Sequence, residues 1–130
     1  MEVVFPKCAS GTFNITLLIK NTGNSSVLLL KPITFITVQF ELYYPDGTKI
    51  RYIGPMPTYL PLTDKDTLVL RKGEVIERQI SLNTGWWDTG GGNYRLLVVY
   101  DTENVRTKTT RRVWRGRLEA WGYVDFGGCP

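Results

Sequence analysis

Histidine is absent from the chain. Imidazole-based zinc centres and Ser–His or Cys–His nucleophile pairs are therefore out of reach. Cysteine is almost as scarce: Cys8 and Cys129 are the only two, near opposite ends of 130 residues. No CxxC occurs, so neither a redox dithiol nor a thiolate metal cluster is expected. Two readings remain for the pair: a bond tying the termini together, or two unrelated thiols. A bond would close a loop of roughly 120 residues, worth about 4–5 kcal/mol in the chain-entropy picture. It would also favour an oxidising compartment, or the cytosol of a hyperthermophile. No apolar run approaches the roughly 20 residues of a membrane span. Met1–Lys7 includes Glu2 and lacks the apolar stretch of a signal peptide. That start fits a mature secreted domain preceded by an added Met, or an intracellular protein. GxSxG, SxxK and the phosphate-loop pattern GxxxxGK are missing as well. So is any stretch of ten or more residues with a 3.6-residue period between caps, which argues against helices.

What the chain does contain is alternation. Phe13, Ile15, Leu17 and Ile19 take turns with Asn14, Thr16, Leu18 and Lys20, and turn residues Asn21–Asn24 follow. From Ile36 to Tyr44 the apolar set is Ile36, Val38, Phe40, Leu42 and Tyr44. Both stretches read as strands buried on one face. Val27–Leu30 is a short strand stopped by Pro32. Pro45-Asp46-Gly47 is a tight turn, after which Lys49–Ile53 is expected to return as a hairpin partner. Pro55, Pro57 and Pro61 make Gly54–Thr63 a loop, since proline removes ladder donors. Leu68–Leu70, Glu74–Leu82, Tyr94–Tyr100 and Leu118–Phe126 complete the strands. Tyr94–Tyr100 is apolar on both faces and reads as central. Arg78 sits at inward parity, so a bulge or strand end is expected beside it. No linker or repeat divides the chain, so one domain over residues 1–130, with its core at about 12–126, is expected.

Charge is uneven. The net charge is +4, and Arg106, Lys108, Arg111, Arg112, Arg115 and Arg117 fall within one short stretch. Without it the chain is about neutral. Such a basic edge either binds acidic partners, nucleic acid or anionic glycans, or serves as a charged strand edge that resists aggregation. Trp114 and Trp121 flank it. Interleaved cations and aromatics can stack single-stranded nucleic acid, but Arg stems lying over indoles for packing are the commoner use.

Other candidates are local. Gly90-Gly91-Gly92 leads into a strand rather than a helix, so a phosphate cradle is not expected. Asp64 and Asp66 lie in a polar loop and read as solvated acids or weak cation ligands, not a catalytic pair. Trp86 and Trp87 are adjacent, and in an extended chain neighbours point to opposite sides. Either one is exposed for recognition, or both cap the open end of the core. Trp86, Trp87 and Asp88, with Tyr59 from the proline-rich loop, are the expected contact residues. Asn14-Ile15-Thr16 and Asn24-Ser25-Ser26 are sequons that put Asn14 and Asn24 forward for glycosylation in a secreted protein.

Four stretches carry a family resemblance. They are ITLLIKNTG from Ile15, LVLRKGEVIERQISL from Leu68, GGNYRLLVVYD from Gly91 and VWRGRLEA from Val113. Their order resembles non-catalytic immunoglobulin-like domains of secreted prokaryotic proteins. It is also similar to the β-sandwich region preceding the catalytic domain of deuterolysin-type metalloproteases, and more faintly to bacterial β-sandwich proteinase inhibitors. The resemblance covers roughly residues 12–126. The zinc-binding HExxH of the metalloproteases is absent, so it implies no protease activity.

The expected protein is therefore all-β, a single antiparallel immunoglobulin-like β-sandwich of about eight or nine strands. Its expected role is a non-catalytic binding or assembly module outside the cell or at its surface, with no cofactor and no metal. A protein partner or self-assembly is expected, with carbohydrate as an alternative; nucleic acid is disfavoured. Two other readings stand beside it. One is a structural subunit of a filament, surface layer or virion, with Met1–Pro6 as a donated strand. The other is a proteinase inhibitor presenting Gly54–Pro61.

Overall fold

The computed structural model describes residues 1–129. The protein is all-β. Its strands are β1 (Glu2–Val4), β2 (Cys8–Ala9), β3 (Thr12–Lys20), β4 (Val27–Leu30), β5 (Val38–Tyr43), β6 (Leu62–Thr63), β7 (Thr67–Leu70), β8 (Val75–Asn83), β9 (Gly92–Asp101), β10 (Thr107–Lys108) and β11 (Arg117–Phe126). Helical structure among the described residues is two 3₁₀ turns, Asp64–Asp66 and Thr84–Trp86. Neither is long enough to cross a membrane.

Side-chain parity built the two main sheets. β3 pairs antiparallel with β8 without interruption from Thr12↔Asn83 to Lys20↔Val75, and β1 adds to the other side of β3. The second sheet runs β2-β11-β9-β5. Phe13, Ile15, Leu17 and Ile19 of β3 bury into one core with Val38, Phe40 and Leu42 of β5 and Leu96, Val98 and Tyr100 of β9. β9 is central in its sheet, between β11 and β5, as its apolar faces imply.

Several expectations need correction. Pairing is mixed, not purely antiparallel: β2 runs parallel to β11, and β10 parallel to β6. Lys49–Ile53 is not a strand. Lys49 makes one bridge to Tyr43, and Tyr52 then bridges to Trp87, because the chain leaves its hairpin after Ile50 to line the end of the core. Ile36 packs into a second, smaller cluster with Leu30, Leu62, Val105 and Val113, not into the main one. Arg78 causes no bulge. It lies on β8, at the edge of its sheet, and pairs in register with Leu17 of β3, so the side chain reaches water while its parity points inward. An inward-pointing charge on an edge strand blocks pairing with a neighbouring chain.

The N-terminal segment changes sheets. β1 pairs with β3, and two residues of Cys8–Ala9 then pair with β11. Within Met1–Pro6, Glu2–Val4 is thus paired to β3 of its own chain. Between the two sheets Phe5 packs on the core. Its ring fills the space above Gly122, where any Cβ would collide with it. Gly122→Ala is expected to cost about 1–3 kcal/mol by overpacking. Combining it with Phe5→Ala relieves the clash, so a double-mutant cycle by urea denaturation should show strong positive coupling. Simple additivity would mean that Phe5 does not sit there.

Cys8 and Cys129 form a disulfide, with Cα atoms 5.3 Å apart. Of the two readings open from sequence, the bond is the one realised. It fastens β2 and the C-terminal end of β11 side by side.

Candidate functional site

At one end of the core an aromatic cluster gathers residues far apart in the chain. Asn83 ends β8 and accepts the Gly85 N–H at 2.8 Å, which starts the 3₁₀ turn. Past that turn the chain is extended again, with Ile53 N–H donating to Trp86 O at 2.7 Å and Asp88 N–H to Arg51 O at 2.9 Å. The two tryptophans consequently face different surroundings. Trp87 is 2% exposed and packs against Tyr52 and Phe126. Trp86 is half-buried, with its ring centroid 5.3 Å from that of Phe35. Asp88 is exposed. Trp87 thus closes the core and has no surface for a partner, while Trp86 and Asp88 have some.

Phe35 is the hub. Its φ of +66° is the left-handed region, costly for an aromatic residue by about 1–3 kcal/mol. Contacts hold it there: Phe40 edge-on at 5.9 Å, Tyr52 at 6.1 Å, and Gln39 Nε2 donating to Phe35 O at 2.6 Å. Nothing in the sequence pattern marks this residue, which falls just before the alternation that begins at Ile36.

Over this cluster runs the proline-rich loop, and both its ends are clamped. Tyr52 Oη donates to Pro55 O at 2.6 Å. Arg106 donates to Tyr59 O at 2.7 Å, and its guanidinium lies over the Tyr59 ring at 5.0 Å. Tyr59 itself leans on the smaller apolar cluster. Gly54 lies so close to Trp86 and the Tyr52 hydroxyl that a Cβ would touch both. Between the clamps the loop projects Met56 at 83% exposure, and Leu60 beyond them at 85%. Under it is a hollow of about 360 Å³ between Pro55–Pro57 and Phe35, Phe40 and Tyr52. Sequence reading selected Tyr59 and missed Met56 and Leu60. Apolar residues between prolines were the available signal.

The six cations of the basic stretch separate into two kinds. Arg106 clamps the loop. Arg115 donates to Thr102 O and Val105 O at 2.8 Å each and to Thr107 Oγ1 at 2.7 Å. Arg117 pairs with Asp101 at 3.3 Å and Glu119 at 2.8 Å. These three hold structure together. Lys108, Arg111 and Arg112 are exposed and form no ion pair among the described residues.

The outer face of the four-stranded sheet carries further aromatics. Arg95 lies 4.6 Å over Trp121, Tyr43 packs on its ring at 5.3 Å, and Tyr123 is 73% exposed. Tyr43 Oη bonds to Glu41 at 2.6 Å. That bond, with Lys49 nearby, holds the Glu41 carboxyl below its ordinary range and pushes Tyr43 up to about 12. Asn14 is exposed on β3, and its side chain accepts from Ser81 Oγ at 2.6 Å. Asn24 is exposed in the Asn21–Ser26 turn. Among the described residues no His, Cys, Asp and Glu cluster suits a metal ion.

No protein-family model matches the chain, and no curated protein matches it either.

Proposed function

We propose that the chain is a non-catalytic immunoglobulin-like β-sandwich used as a protein-binding module outside the cell or at its surface. The fold assignment draws support from strand order. β1-β3-β8 and β5-β9-β11 follow the A-B-E and C-F-G orders of that fold, while β7 pairs with β4 instead of filling the D position beside β8. Tyr94 lies near the start of β9 and its hydroxyl donates back to Gly90 O at 2.7 Å, the arrangement of a tyrosine corner. The disulfide supports the compartment, because such bonds persist where the surroundings oxidise.

The binding assignment rests on one observation. Met56 and Leu60 stand almost fully in water on a loop clamped by Tyr52 and Arg106. A loop held in shape before binding loses little entropy on docking. Exposed apolar side chains on it supply the contact, and Trp86 and Asp88 extend the surface. Met56→Asp with Leu60→Asp is expected to abolish capture of the partner from extracellular fluid or cell surfaces. Stability should stay within about 0.5 kcal/mol, as for other exposed sites. Undiminished capture by the double variant sinks the assignment.

The same clamps favour a second reading, a proteinase inhibitor. A preformed, extended, exposed loop suits a protease cleft. Stoichiometric inhibition of an endopeptidase in a panel of serine, cysteine and metallo classes, lost on Met56→Asp, supports it. Cleavage of the loop without inhibition rejects it.

A further inference from the structure

The three free cations of the basic stretch are joined in the fold by two lysines from elsewhere in the chain. Lys108 on β10 pairs in register with Thr63 on β6, directly before Asp64 and Lys65. Thr110 is tied to the same place, its N–H and hydroxyl donating to the Asp64 carboxylate at 2.8 and 2.9 Å. The Arg111–Arg112 turn follows at once, and Thr109 Oγ1 donates to Arg111 O at 2.8 Å to shape it. Lys31 arrives from the end of β4, its ammonium donating to Lys65 O at 2.8 Å. Lys31, Lys65, Lys108, Arg111 and Arg112 therefore share one surface, although 81 positions separate the first from the last.

Two acids lie within this surface, Asp64 and Asp66. Both are engaged with backbone: Asp64 with Thr110, and Asp66 with the Thr63 N–H at 2.8 Å. Five cations less two carboxylates leaves an excess of three positive charges. None of the five makes an ion pair among the described residues. The loop Thr107–Arg115 wraps an open hollow of about 740 Å³ beside them.

We propose that this surface is a docking site for an anionic polysaccharide, sulfated or otherwise densely charged. Cations fixed by a folded loop but not neutralised by it attract a polyanion through charge and counterion release. Nucleic acid fits less well, because binding single strands draws on aromatic faces for base stacking. Here those faces are engaged in packing, although Trp114 keeps 36% of its surface exposed. Trp114 lies parallel to Tyr100, 8° between planes and 6.3 Å between centroids, with Gly116 against its benzo ring. Tyr59 is covered by Arg106. A disulfide-tied chain also suits the compartment where such polysaccharides occur.

The test measures binding of the oxidised full chain to immobilised heparin over a salt series, beside single-stranded DNA of similar charge. Wild type is expected to bind heparin with log Kd linear in log salt concentration. Lys108→Glu/Arg111→Glu/Arg112→Glu is expected to lose on the order of 100-fold at physiological salt, with a shallower salt slope. A control of equal charge change, Lys7→Glu/Lys72→Glu/Arg78→Glu, should lose less than about 5-fold. Lys65→Gln/Lys108→Gln leaves the Arg111–Arg112 turn untouched and should lose about 5–10-fold, which keeps the test informative if the triple variant misfolds. Equal losses in triple variant and control would reduce the effect to net charge and overturn the site. Failure of wild type to bind heparin at physiological salt, or tighter binding to the DNA, overturns the polysaccharide.

Discussion

Trp87→Ala is expected to destabilise the protein by about 3–5 kcal/mol, the range for truncating a fully buried large aromatic. The ring is 2% exposed and closes the core end where Tyr52, Trp86 and Phe126 meet. Removing it opens a cavity that backbone hydrogen bonds on both sides prevent from collapsing, since Arg51 and Ile53 are tied to Asp88 and Trp86. For a chain of this size the melting temperature should fall by on the order of 10–20 °C. Trp86→Ala should cost about 1–2 kcal/mol, because that ring is only half-buried. Thermal and urea denaturation of the two variants separate the cases. Equal losses would mean that the two indoles are not divided between core and surface.

Cys8→Ser with Cys129→Ser is expected to cost about 4–5 kcal/mol, through the freedom returned to the unfolded chain by opening so long a loop. The bond joins residues separated by 121 positions. It also holds the two-residue strand β2 against the end of β11. β2 pairs with β11 only at Cys8↔Asp125 and Ala9↔Phe126, yet Ala9 is 1% exposed. Without the bond these pairings fray and water reaches Phe126. Melting followed with and without reductant tests this: wild type should melt lower when reduced, and the double variant should melt at that lower temperature regardless. A wild type indifferent to reductant, although free thiols are then detected, contradicts the account.

Much of the fold was legible because side-chain parity is a local property. Phe13, Ile15, Leu17 and Ile19 alternate in the chain and are all buried. The turn at Pro45–Gly47 is where expected, with Gly47 at φ +93° and its N–H donating to Tyr44 O at 2.9 Å. Arg78 shows the limit. Its parity was read correctly, but parity carries no information on whether a strand is central or at an edge. Lys49–Ile53 fails for a related reason. Its composition allows a hairpin partner, and only the competing attraction of the Trp86–Asp88 segment decides where it goes.

The candidate sites were less legible. Tyr59, Trp86 and Asp88 were picked by type, whereas the most exposed large apolar side chains are Met56 and Leu60. Among the six clustered cations nothing local separates Arg106, Arg115 and Arg117, which hold loops and strands, from Lys108, Arg111 and Arg112, which remain free. Arg106 and Arg115 are engaged by oxygens 8 to 47 positions away, and Arg117 by Asp101, 16 positions away, as well as by its near neighbour Glu119.

The order of residues by itself determined an all-β chain and ruled out imidazole chemistry, since alternation and the lack of a residue type do not depend on folding. The tertiary structure alone decided which tryptophan is inside, that the two sulfurs meet, and which charges stay free. Those outcomes depend on contacts between distant segments, such as Arg106 with Tyr59 and Tyr100 with Leu30. Such contacts form only where burial and hydrogen bonding, summed over the whole chain, outweigh the entropy of bringing the segments together.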